Sequence, residues 1–202
     1  TKKDNNLTPD FTASRYNVTR KNFTILTDNH ISYFKKIIDD PKNNVLLASE
    51  GQDLDKYNVD WLGIVRGQSQ TVLRPKNSQQ ISSIVEYCNE NNIAVSPIGG
   101  NTGLVGGSVP VFDEVVISLE RMNKILEIDN ISGIVTCEAG IVLEQLNLAL
   151  NNNQPPFMVP LDLGAKGSCQ IGGNISTNAG GLRYLRYGSL HGNILGLEVV
   201  LP

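Results

Sequence analysis

Five glycines fall within nine residues, Gly99-Gly100-Asn101-Thr102-Gly103-Leu104-Val105-Gly106-Gly107, directly after the apolar run Ile93 to Ile98. Without a Cβ, a backbone can take positive φ and come close to a ligand. Successive N–H groups in such a turn form a nest for one anion, a phosphate or pyrophosphate, and each charge-assisted bond contributes about 1.5 to 3 kcal/mol. Asn101 and Thr102 add side-chain donors. The competing reading is a tight turn without a ligand, which this density of glycine disfavours. No Gly-Lys-Ser/Thr ends the loop and the GxGxxG spacing is absent at this strand, so nucleotide hydrolysis and a Rossmann NAD site are both weak readings.

A second glycine-dense stretch follows Pro155-Pro156. Pro160-Leu161-Asp162-Leu163-Gly164 leads through Ser168-Cys169-Gln170-Ile171 to Gly172-Gly173-Asn174-Ile175-Ser176-Thr177-Asn178-Ala179-Gly180-Gly181. Uncharged hydrogen-bonding groups far outnumber charged ones here. Such a set suits the edge of a neutral heteroaromatic ring whose plane must stay open to a reactant. Outside the loops the chemistry is sparse. His191 follows Gly188 closely and could serve in proton transfer, although a hydrogen-bonded structural role is the stronger reading. His30 falls on the polar side of a helix. Lys166, Arg183 and Arg186 could balance a carboxylate, but solvated or backbone-bonding roles are at least as strong. Cys88, Cys137 and Cys169 have no metal-ligand spacing and read as free thiols of a reducing compartment.

Alternating elements must position these loops. Residues 1–24 are polar and aperiodic, a loose arm. Thr27 or Asp28 can cap a short helix with Ile31, Phe34, Ile37 and Ile38 on its apolar side, ended by Pro41. A polar connection from Gln52 to Gly67 precedes the strand Thr71-Val72-Leu73. Asn77 and Gln80 form a capping pair for a helix whose Ile81, Ile84, Val85 and Cys88 share one face. The strand 93–98 then delivers the first glycine loop. Val115 to Leu119 is a further strand, and Ile125 to Ile128 with Ile134 to Cys137 forms a hairpin around residues 130–133. Leu143, Leu146 and Leu150 mark a second amphipathic helix. Ile194 to Leu201 reads as a closing strand.

A formal charge of -3 with scattered Lys and Arg leaves no basic stripe for nucleic acid. No apolar stretch approaches the roughly 20 residues of a bilayer span. The chain opens on Thr1 rather than Met and stops on the apolar run Val199-Val200-Leu201-Pro202, which reads as a processed or cut fragment.

The strings GGNTGLVGGSVPVFDE and PLDLGAKGSCQIGGNISTNAGGLRYLRYGSLHG resemble the paired motifs of the FAD-binding domain of vanillyl-alcohol oxidase and p-cresol methylhydroxylase relatives. Within that superfamily the likeness is greatest to the D-2-hydroxyglutarate and D-lactate dehydrogenases, and it covers about residues 52–202. The resemblance implies an α+β fold of two lobes, a small parallel β-α-β lobe and a lobe built on an antiparallel sheet with helices, preceded by an arm and short helix over residues 1–51. It implies that Gly99, Gly100, Asn101, Thr102 and Gly103 hold the pyrophosphate of FAD. Pro160, Leu161, Asp162, Ser168, Gly172, Gly173, Asn174, Thr177, Asn178, Gly180, Gly181 and Gly188 would line the rest of the cofactor, chiefly near the flavin. Some relatives attach the flavin to a histidine; the first loop has Asn101 and Thr102 instead, so FAD is expected to be non-covalent.

The implied reaction is oxidation of a D-2-hydroxy acid, D-2-hydroxyglutarate or D-lactate, to the 2-oxo acid by hydride transfer to flavin N5, with electrons passed to a separate acceptor. In the resembling enzymes the substrate arginine, the base and the ligands of a divalent metal lie in a later domain. No catalytic residue and no metal ligand is therefore assigned within this chain. A homodimer is left open, and the resemblance favours the mitochondrion over the cytosol. The alternatives are a flavin-binding module without turnover, a glycine-rich structural domain, and a same-superfamily enzyme of other chemistry such as an alkyl-glycerone-phosphate synthase relative.

Overall fold

The computed structural model describes residues 9–202. Its first lobe is a four-stranded sheet in the order β1-β2-β4-β3, built from β1 (Val45–Leu47), β2 (Thr71–Leu73), β3 (Val95–Ile98) and β4 (Val115–Ser118). β2, β4 and β3 run parallel and β1 is antiparallel to β2. Their alternation makes two apolar layers. Val115 and Ile117 of β4 face the helices α2 (Asp28–Ile37) and α5 (Ser78–Glu90), packing with Phe34, Ile38, Ile84 and Cys88. Val116 and Val72 point the other way, onto Leu54 and Tyr57 at the short helix α4 (Asp55–Asn58). β4 is buried along its whole length, as expected of a strand enclosed on both faces and both edges. β3 lies at the sheet edge, where Pro97 costs no ladder bond.

Local signals set the helix ends. The Asn77 side chain accepts from Gln80 N at 2.9 Å, and the Gln80 side chain accepts from Lys76 N at 2.8 Å, so the cap is reciprocal but reaches one residue further back than a standard capping box. At α2, Thr27 N donates to His30 Nδ1 at 3.1 Å. His30 is half-buried against Tyr87 rather than fully solvated. Pro41 does not merely end α2: it occupies the first turn of the one-turn helix α3 (Pro41–Asn44), where its fixed φ and missing N–H cost nothing.

The polar stretch before Thr27 is not loose over its described residues. Thr12, in the one-turn helix α1 (Thr12–Arg15), exchanges bonds with Arg66: Thr12 N donates to Arg66 O at 2.9 Å, and Arg66 N to Thr12 Oγ1 at 2.7 Å. Arg20 forms a two-pronged ion pair with Asp113, at 2.6 and 3.0 Å.

The second lobe begins after Met122. β5 (Ile125–Ile128) and β6 (Val135–Cys137) form the expected antiparallel hairpin, with a bulge between Ile125 and Glu127. Helix α6 (Leu143–Asn151) packs Leu143, Leu146 and Leu150 against Val159, Leu161, Cys169, Ile171 and Leu190 in a separate apolar cluster. The glycine-dense stretch holds two short helices that its composition did not announce, α7 (Ile171–Ser176) and α8 (Tyr184–Tyr187). α7 forms because its entry is anchored from outside: Ile171 N donates to Ile141 O at 3.0 Å and Gly172 N to Ala139 O at 2.7 Å. Residues 194–202 form neither helix nor strand, so the expected closing strand is absent among the described residues, and Leu195, Leu197, Val199 and Leu201 are exposed. A strand needs a neighbour for its backbone groups, and none of the described segments pairs with this one. None of the described helices is long and apolar enough to cross a membrane.

Candidate functional site

The carboxyl ends of β2, β3 and β4 share one sheet edge, the usual location of ligand sites in parallel sheets. The first glycine loop leaves β3 at that edge and meets the second stretch. A Cβ on Gly100 would overlap the Ser168 carbonyl, and a Cβ on Gly99 would sit 3.2 Å from Gln170 Oε1. Glycine at Gly100 is thus a steric requirement of the junction. No backbone N–H from Gly99 to Gly103 donates to another group among the described residues. Gly103 has open space where a Cβ would project.

Asn101 behaves differently from a ligand donor. Its backbone is left-handed, with φ 51°. Its side-chain nitrogen donates to Val59 O at 2.7 Å and Lys56 O at 3.3 Å, while its oxygen accepts from Ser108 Oγ at 2.8 Å. The amide is consumed in strapping the loop onto α4. Thr102 is half-buried and makes no side-chain hydrogen bond to the described residues. Beneath the strap, Tyr57 Oη donates to Glu120 Oε1 at 2.7 Å and Arg74 Nε lies 2.9 Å from the same oxygen. Burial, reinforced by the Glu120 carboxylate, holds the Tyr57 phenol well above its ordinary range, so it remains a neutral donor.

In the second stretch most predicted residues build local structure. Leu161 is buried in the lobe core, and Pro160 is half-buried before it. Asp162 O accepts from Leu182 N at 3.1 Å, and a Cβ on Gly181, at φ 86°, would overlap that same carbonyl oxygen. Gly172 lies against Ala139, and Gly180 faces the Tyr184 ring. Asn174 is buried, with its side-chain nitrogen 3.6 Å from Cys169 Sγ. Thr177 Oγ1 bonds Gly173 O at 3.0 Å. Asn178, left-handed at φ 49°, accepts from Ser189 Oγ at 2.7 Å and His191 N at 3.2 Å. His191 Nε2 lies 2.6 Å from Ile175 O, the structural role its sequence position favoured. Gly188, at φ 76°, and Gly173 have nothing within 4 Å of a would-be Cβ. Gly99 and Gly100 therefore meet Ser168 and Gln170 directly, whereas Asn178 and Gly188 belong to a separate knot with no hydrogen bond to the first loop among the described residues.

Arg183 Nη1 donates to Val159 O at 2.8 Å, a backbone role, and Arg186 lies over the Tyr187 ring. All three cysteines are free. Burial raises the Cys169 thiol, which the bond from Asn174 only partly offsets, and pushes Cys88 up to about 12. They are packing residues, not nucleophiles.

Gln170 was not singled out by sequence reasoning. It is 7% exposed, and its Oε1 is enclosed without a partner. Its one sequence signal is position: a polar residue between Cys169 and Ile171, where the neighbouring side chains are core. A row of unused amides with an orphaned acceptor next to Gly99 fits a ligand with an anionic middle and hydroxyl or ring donors beside it, as a dinucleotide has.

Residues 69–202 match the FAD binding domain family. The mitochondrial D-2-hydroxyglutarate dehydrogenase of Danio rerio is 55% identical over 179 residues, 89% of this chain and 32% of the relative. The D-2-hydroxyglutarate–pyruvate transhydrogenase of Saccharomyces cerevisiae is 47% identical over 194 residues, 95% of this chain and 38% of the relative. The chain thus spans about a third of the length of the curated relatives it matches. Among solved structures, an alkyldihydroxyacetonephosphate synthase superposes with a TM-score of 0.72 at 17% identity, covering 84% of this chain and 35% of the other; this likeness is one of fold. With most of both lobes inside the matched segment, the chain belongs to the FAD binding domain family.

Proposed function

We propose that the complete protein oxidises a D-2-hydroxy acid, D-2-hydroxyglutarate or D-lactate, to its 2-oxo acid, and that this chain provides the site for a non-covalently held FAD. The observation that carries the reading is the run of unused amides from Gly99 to Gly103, with Gly99 and Gly100 packed against Gln170 and Ser168, in a chain about half identical to D-2-hydroxyglutarate enzymes.

In this reading the amides of Gly99, Gly100, Thr102 and Gly103 bind the pyrophosphate, and Asn101 shapes their loop instead of touching the anion. Pro160, Leu161, Asp162, Ser168, Gly172, Gly173, Asn174, Thr177, Asn178, Gly180, Gly181 and Gly188 line the remainder. When bound, FAD supplies the two-electron acceptor for the hydride on the substrate α-carbon. The packed second lobe excludes water from one side of the site and fixes orientation. His191 and Arg183 are committed to backbone carbonyls; as the family resemblance implies, the base for the hydroxyl proton, the cations for the carboxylate and any divalent metal come from the rest of the complete protein. The electrons pass to a separate acceptor; the yeast relative's name pairs the reaction with pyruvate. The zebrafish relative is named mitochondrial, which supports the same compartment here, and a homodimer is compatible with this arrangement.

The test is anaerobic titration of the purified full-length protein. Flavin absorbance that acid releases, and that bleaches with D-2-hydroxyglutarate or D-lactate, is the expected result. Bound flavin that no D-2-hydroxy acid reduces would remove the dehydrogenase reading and leave a binding module or other chemistry.

A further inference from the structure

Resting on the proposed FAD site, we infer that Gln170 is a cofactor-binding residue: its carboxamide oxygen accepts a hydrogen bond from a sugar hydroxyl of the dinucleotide, next to the phosphates held by the first glycine loop. Gln170 Oε1 is enclosed and unpartnered, in a side chain only 7% exposed. A buried acceptor left without a donor is costly, about 1 to 3 kcal/mol, and native structures rarely keep one without a use. The backbone of its own segment supplies no donor. Ile171 N and Gly172 N are spent on Ile141 O and Ala139 O, and the nearby Asn174 side chain is turned to Cys169 Sγ.

Its location selects the ligand group. The oxygen would lie 3.2 Å from a Cβ on Gly99, the first residue of the amide row, so it borders the anion site. Phosphate oxygens carry no donor at neutral pH and cannot satisfy it. The groups that flank a pyrophosphate in a dinucleotide are sugar hydroxyls, which do donate. Two sources share that chemistry, the ribityl chain on the flavin side and the ribose on the adenosine side.

The sharpest consequence is a pair of effects with opposite signs. Gln170→Met keeps the side-chain volume and removes the unpaired acceptor. The cofactor-free full-length protein should therefore melt at the same or a higher temperature, while its FAD affinity, read by flavin fluorescence quenching, falls about 5- to 30-fold, the loss of one buried hydrogen bond. FMN and ADP serve as half-ligands: the half whose affinity the substitution weakens carries the hydroxyl, and the other half should bind as before. Wild-type protein that never binds FAD would defeat the cofactor reading itself. Wild-type binding with Gln170→Met unchanged for FAD would overturn the Gln170 assignment alone. A lower melting temperature in the cofactor-free Gln170→Met, or failure of both Gln170→Met and Gln170→Leu to fold, would overturn it as well, because an unpartnered acceptor has no structural bond to lose.

Discussion

The two glycine-rich segments share a composition and use it in opposite ways. From Gly99 to Gly103 the amides are unspent, and the loop is held by side chains: Asn101 to Lys56 and Val59, and Ser108 to Asn101. From Lys166 to Thr177 the amides are largely spent within the lobe, among them those of Lys166, Ser168, Cys169, Ile171, Gly172, Asn174 and Thr177. The lobes that carry the segments differ in the same sense. Every ion pair among the described residues lies at or before Arg121, whereas the second lobe is held by one apolar cluster, backbone bonds and side-chain hydrogen bonds such as Arg183 to Val159 O. Glycine content alone therefore does not say whether a loop binds. What matters is where its N–H groups go, and the first segment keeps them free by delegating its own support to amide and hydroxyl side chains.

The largest effect should come from the junction between the segments. Gly100→Ala places a methyl group against the Ser168 carbonyl, and backbone cannot rotate aside as a side chain can. Overpacking of this kind costs about 1 to 3 kcal/mol, or roughly 3 to 10 °C in melting temperature for a chain of this size. Retained flavin should fall with it. Gly173→Ala is the control from the other segment: the position is open and helical, so the methyl group should leave the melting temperature level or raise it slightly. Equal losses in thermal melts of the two variants would erase the distinction between a junction glycine and an open one.

Next in size is the strap. Asn101→Ala removes three side-chain bonds and puts alanine at φ 51°; about 2 kcal/mol of stability should go, together with at least tenfold in FAD affinity as the amide row loses its shape. Asn101→Gly keeps the left-handed backbone without the bonds. Its stability should fall between wild type and Asn101→Ala, with FAD affinity still reduced. If Asn101→Ala binds FAD normally in a fluorescence titration, the loop does not need its side-chain support and the contrast between the segments is lost.

Elements with many residues on one face were legible from sequence, because their burial repeats: α5, α6 and the β5–β6 hairpin appear as their periodicity required. β1 was not, since Val45-Leu46-Leu47 is too short to show a period and becomes a strand only by pairing with β2. The error at residues 194–201 is the converse, a strand pattern with no partner among the described residues. In the site, glycine density located both segments, although of the five glycines in the first loop only Gly106 takes the positive φ expected there. It could not tell donor from scaffold. The Asn101 side chain, expected to donate to a ligand, is engaged as a strap, and Gln170, not singled out among the polar residues of its stretch, carries an orphaned acceptor; both contacts are made with residues about 40 to 70 positions away, at Lys56, Val59 and Gly99.

The smallest expected effect tests the contrast in charge. Asp39 lies 3.0 Å from Arg121 Nη2 and 3.4 Å from Lys76 Nζ, and Gln80 donates to it at 3.0 Å, joining the end of α2 to α5 and the turn after β4. Hydrogen bonding from Arg121, then from Gln80, holds its carboxyl well below the usual carboxylate range. A depressed folded-state value means that its contribution is complete above the unfolded value, near 3.9, and is lost as pH falls toward the folded value. Asp39 is over a third exposed, so solvent screening limits the contribution to about 1 kcal/mol or less. Asp39→Asn should therefore lower the melting temperature slightly at pH 7, and the gap from wild type should narrow steadily below about pH 4. Among the described residues the second lobe has no ion pair to protonate, only the Asp129 carboxyl held low by Ser132 and Ile131 within one turn, so mild acid should open the first lobe ahead of it, with amide exchange rising in α5 before α6. Exchange that rises first in α6 would mean that the apolar cluster, not the ion pairs, is the weaker fastening.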